Sequence, residues 1–162
     1  MEKSENKDFD FIKEYDLLKE KYGLPEFDLI ARDFDAEKIL EKETNFIVRE
    51  VRIAIGEKIS SYLHLFETLI NPSAPPMFIF SVLRNLNSED KEAIKKIYKR
   101  LSKFQIEAMK LDTIYEESKE VLYVKEAIKE WQNLKVEIYD LIDDLDKKSE
   151  EDNGSKNRGY FG

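Results

Sequence analysis

The chain has 162 residues, 41% hydrophobic and 38% charged, with 35 acids against 27 Lys and Arg, one His and no Cys. That length suits one domain able to bury a core without staples, and the missing cysteine excludes disulfides, thiol catalysis and Cys-bearing zinc sites. A net charge of −8 speaks against default nucleic-acid binding, and no apolar run approaches the ~20 residues of a membrane span.

The opening "MEKSENKDFD" lacks the basic-then-apolar order of a secretory signal. A soluble, cytoplasmic protein is therefore expected, with residues 1–8 as a flexible N-terminus. The richness in Lys, Glu and Ile resembles the composition of proteins from hot environments. Prolines fall only at 25, 72, 75 and 76 and glycines at 23, 56, 154, 159 and 162, so two long stretches are almost free of breakers and favour helix over sheet.

The first helix is predicted through "DFIKEYDLLKEKY", where Phe11, Tyr15, Leu18 and Tyr22 recur at helical spacing. Gly23 is available for a left-handed cap and Pro25 to open the next turn. "PEFDLIARDF" reads as a short helix and "DAEKILEKET" as a second short turn. Val48, Val51, Ile55, Ile59, Tyr62, Phe66 and Leu69 then form the clearest stripe. A strand reading competes where Val51, Ile53 and Ile55 alternate with Arg52 and Ala54, but the pattern outlasts the ~10 residues of a strand. Gly56 interrupts this helix, and close approach of a neighbouring helix is the expected reason.

After "NPSAPPMFIFSVLRN", Asn87 or Ser88 can cap a helix carrying Ile94, Ile97, Leu101, Phe104, Ala108 and Leu111. "LDTIYEES" marks a break. The last stripe is Val121, Val124, Ile128, Trp131, Leu134, Ile138, Leu141 and Leu145. Long helices with short connections settle as antiparallel neighbours. The prediction is an all-α antiparallel bundle of three long helices, an N-terminal helix and one or two short helical inserts. One domain spans 9–147, and 148–162 is a disordered polar tail.

Chemistry is sparse. His64 is the single histidine, in "HLFE", and no nucleophile elbow or glycine-rich phosphate loop accompanies it. Glu43, Glu50, Glu57 and His64 recur every seven residues, a ladder that reads as the wet side of its helix. Glu117-x-x-Glu120 followed by Glu137-x-x-Asp140 resembles the acid signature of the all-helical MazG-like nucleotide pyrophosphohydrolases. The resemblance implies two acid pairs on facing helices that bind Mg²⁺ and clamp a nucleoside triphosphate. That family turns the chain between its pairs, whereas "VLYVKEAIKEWQNLKV" reads as uninterrupted helix. No catalytic residue, metal ligand or cofactor is assigned, and a non-enzymatic role is favoured.

Two surfaces remain. Lys96, Lys99 and Lys103 share a helical face flanked by Lys95 and Arg100, a stripe that could follow phosphates. The charge layout allows it, since residues 1–45 and 112–162 each carry −6 while 87–111 carries +3. The second surface is "MFIFSVL", short and apolar on all sides. Such a helix is either wholly buried as a plug or covered by a partner. Met77, Phe78 and Phe80 are the candidate partner-binding residues, for a protein partner or a second copy, with no membrane role.

Overall fold

The computed structural model describes residues 9–156. The protein is all-α, with helices α1 (Phe11–Tyr22), α2 (Phe27–Phe34), α3 (Ile47–Ile70), α4 (Met77–Arg84), α5 (Ser88–Thr113) and α6 (Glu117–Lys156), plus a 3-10 turn at Ala36–Ile39. No strand occurs among the described residues, and no helix there is long and apolar enough to cross a membrane. The chain divides into two compact units, one of residues 9–58 and 106–128, the other of 59–105 and 129–156. α3, α5 and α6 each supply a stretch to both.

In the first unit, Asp10 starts α1 by accepting hydrogen bonds from the backbone N–H groups of Ile12 and Lys13 at 3.1 and 3.3 Å. Gly23 ends it at φ 65°, and its N–H donates to the Lys19 carbonyl at 2.8 Å. A β-carbon is strained at that φ, so glycine suits the position. The turn that follows returns Phe27 onto Phe11 and Tyr15, with ring centroids 5.9 and 5.3 Å apart. Tyr15 is fully buried and its hydroxyl donates to the Pro25 carbonyl at 2.7 Å. Val48, Val51 and Ile55 of α3, Ala108 and Leu111 of α5, and Val121, Val124 and Ile128 of α6 complete this core.

The second unit buries Ile59, Phe66 and Leu69 of α3, Ile94, Ile97, Leu101 and Phe104 of α5, and Trp131, Leu134, Ile138, Leu141 and Leu145 of α6. Asn87 caps α5 in a reciprocal box. Its side-chain oxygen accepts from the Asp90 N–H at 2.8 Å, while Asp90 accepts from the Asn87 N–H at 3.0 Å. Lys148 donates to both Asp90 oxygens at 2.7 Å. Arg100 reaches Glu130 at 2.6 Å and Glu137 at 2.6 Å. As numbers rise from 90 to 100 along α5 they fall from 148 toward 130 along α6, so these two helices run antiparallel in this unit.

Two expectations need revision. Residues 148–156 belong to α6, where the sequence pattern suggested a disordered tail. The reasons lie in particular side chains, because Lys148 is tied to Asp90 of α5, Ser149 is buried and Lys147 pairs with Asp143 one turn back. Residues 1–8 and 157–162, the rest of the expected flexible ends, lie outside the described residues. Gly56 is not needed for a close approach, since a β-carbon there would meet nothing within 4 Å. Pro76 stands immediately before α4 as its N-cap.

Candidate functional site

The unusual feature of the second unit is α4. Its eight residues are "MFIFSVLR", and of the seven apolar or hydroxyl side chains only Ile79 is buried. Met77 is 84% exposed, Phe78 72% and Phe80 45%. At 100° per residue, Phe78 and Phe80 flank the buried Ile79 on its two sides, and Met77 lies on the outer face. Met77 and Phe80, three residues apart, share the outer face, and Phe78 lies about 100° round from Met77.

Phe78 lines an apolar groove of about 640 Å³, and Met77 and Phe80 do not. The other walls come from Tyr62, Leu65 and Leu69 of α3 and from Trp131, Ile138, Tyr139, Ile142 and Leu145 of α6, with Ser81 and Val82 of α4 beside Phe78. Trp131 is buried and stacks obliquely on Tyr62 with centroids 5.5 Å apart, which gives the groove a firm floor. Tyr139 and Ile142 stand 70% and 43% exposed on the α6 rim. Asp143 and Asp146 line the end farthest along α6.

Chain pattern explains why the groove stays open. Pro72, Pro75 and Pro76 lack the backbone N–H that would continue α3, so the link to α4 cannot be helical. α4 is then held by one inward side chain, and two turns of helix cannot cover the adjacent faces of α3 and α6.

The basic stripe is only partly available. Lys96, Lys99 and Lys103 are exposed, but Arg100 holds two carboxylates and Lys95 sits 3.4 Å from Glu92. The Arg100 guanidinium is held above its ordinary pKa, chiefly by its hydrogen bonds to Glu137, with burial opposing and Glu130 adding.

The acid signature divides likewise. α6 is one helix from Glu117 to Lys156, without a turn between the pairs. Glu117 accepts from the Tyr22 hydroxyl, Glu120 from Arg52 and Glu137 from Arg100. Among the described residues, no group of three or more His, Cys, Asp or Glu side chains is arranged to hold a metal ion. His64 is exposed, while Glu50 and Glu57 pair with Lys42 and Lys38.

The sequence pattern missed one cluster altogether. Arg52 is 2% exposed in the first unit and donates to Glu120, which is 0% exposed, at 2.8 Å and to Asp112 at 2.7 Å. Burial works against the charge on Arg52, and the hydrogen bonds to both carboxylates outweigh it, so its pKa is raised. The second Glu120 oxygen is buried without a hydrogen bond, and Arg49 approaches it at 3.9 Å. The arrangement is a buried charge network that fixes α3 against α5 and α6 within that unit.

Comparison of the chain with protein-family models, with curated proteins and with solved structures finds no match in any of the three.

Proposed function

We propose that the chain is a non-enzymatic interaction protein that binds a helix of a protein partner in the groove beside α4. The observation that carries this reading is Phe78, a large aromatic side chain 72% exposed along an apolar groove of about 640 Å³. A partner's apolar stripe laid into such a groove recovers ~1.5–3 kcal/mol for each large side chain it removes from water. Recognition of this kind reads anchors at i, i+3, i+4 and i+7 of the incoming helix. Trp131 and Tyr62 supply the rigid aromatic surface that binding hot spots favour.

The test uses a synthetic helix of about 20 residues, long enough to hold its shape, with a leucine stripe and a glutamine polar face. Calorimetric titration into the full chain is expected to show saturable binding, weakened about 30-fold by Phe78→Ala, the equivalent of ~2 kcal/mol at a hot spot. Equal binding by Phe78→Ala, or none by the parent chain, would remove the reading.

A further inference from the structure

We infer that the groove takes a basic amphipathic helix, its cationic residues gathered over Asp143 and Asp146; this rests on the groove reading above and names the partner's chemistry. Asp143 is 40% exposed through its side chain and Asp146 is exposed, and both line the same end of the groove. They stand in a stretch of α6, residues 137–151, that holds seven acids and two lysines. One of those lysines, Lys148, is occupied by Asp90, and the other, Lys147, pairs with Asp143. Glu137 of that stretch is held by Arg100, and Lys135 also lines the groove, so α6 keeps a reduced excess of negative charge beside it, with Asp146 the groove acid nearest that excess. Charge of one sign beside an apolar cleft steers an oppositely charged partner and repels wrong ones.

The same charges discriminate among occupants. A second copy meeting this face across a two-fold axis would bring the acidic stretch of α6 against itself. An anionic membrane surface would meet the same repulsion. A helix whose apolar stripe fills the space between Phe78 and Trp131, and whose lysines or arginines fall over Asp143 and Asp146, satisfies both features at once.

The experiment compares three synthetic helices with one leucine stripe and polar faces of lysine, glutamine or glutamate, each titrated into the full chain at low salt. The lysine helix is expected to bind at least ten-fold more tightly than the glutamine helix, and the glutamate helix more weakly than either. The lysine advantage is expected to shrink toward one at about 1 M salt, where the screening length falls to ~3 Å, and in Asp143→Asn/Asp146→Asn. Equal affinity for lysine and glutamine helices would overturn this inference while leaving the apolar groove as a docking site. Lysine-helix binding untouched by Phe78→Ala would overturn it as well, since charge alone would then be responsible. If no helix binds and sedimentation shows a dimer broken by Phe78→Ala, a second copy is the occupant and both readings fall.

Discussion

Arg52 in the first unit is 2% exposed and hydrogen-bonds two carboxylates, whereas Phe78 in the second is 72% exposed on the edge of an apolar groove. Each side chain lies on the unexpected side of the solvent boundary, but the consequences differ. A buried charge is tolerable only while its partners stay in place, so the Arg52 network is demanding of its own unit. An exposed aromatic makes few demands on folding, and its unfavourable hydration is relieved only when something covers it. One region thus pairs its unusual side chain with carboxylates of its own, and the other leaves its aromatic side chain facing solvent.

Substitutions can break that contrast, and the largest effect is expected at the network. Glu120→Ala leaves Arg52 buried beside Asp112 alone, and urea unfolding should show a loss of ~3–5 kcal/mol. Replacing the pair together, as Arg52→Met/Glu120→Leu, should recover most of that loss, because no buried charge is then stranded. A double variant as unstable as Glu120→Ala would show that packing, not charge, dominates there.

At the groove the same measurement should barely respond. Phe78→Ala is expected to change stability by less than ~0.5 kcal/mol, as surface substitutions do, while weakening helix binding. A stability loss of several kcal/mol would mean that Phe78 belongs to the core.

The third test lies at the start of α5. Burial tends to raise the Asp90 pKa, but the Lys148 hydrogen bond and the Asn87 N–H outweigh it and hold the carboxyl below its ordinary 3.8. The ionised group therefore adds stability above that pH and loses it as the pH falls through the depressed value. Asp90→Asn should cost about 1.5 kcal/mol at neutral pH, and the gap from the parent chain should close progressively below pH 3.8. A gap independent of pH would contradict the ion pair with Lys148. At Gly56→Ala the open space should instead give a gain of about 0.5–1 kcal/mol in urea unfolding.

Much of the fold was legible because long stripes advertise themselves. Every stripe position of α5 and α6 from Ile94 to Leu145 named from spacing is buried, and of the α3 stripe only Tyr62 is partly exposed. The all-round apolar character of "MFIFSVL" likewise signalled a segment that two neighbours could not cover. The groove itself was not legible, since its walls come from residues 62–82 and 131–149, and spacing along one helix says nothing of what faces it. Arg52 and Glu120 were hidden for the same reason, standing 68 positions apart as two ordinary charges on helical faces. Helix beyond residue 147 escaped notice because it rests on Lys148 and Ser149 rather than on an apolar repeat.

Trp131 is the only tryptophan of the chain and lies buried in the groove wall, so its emission reports on that site alone. Titration of the lysine-faced helix should change Trp131 fluorescence saturably in the parent chain, with the midpoint moved about 30-fold higher in Phe78→Ala. No change in emission, or the same midpoint in both proteins, would contradict the groove as the binding surface.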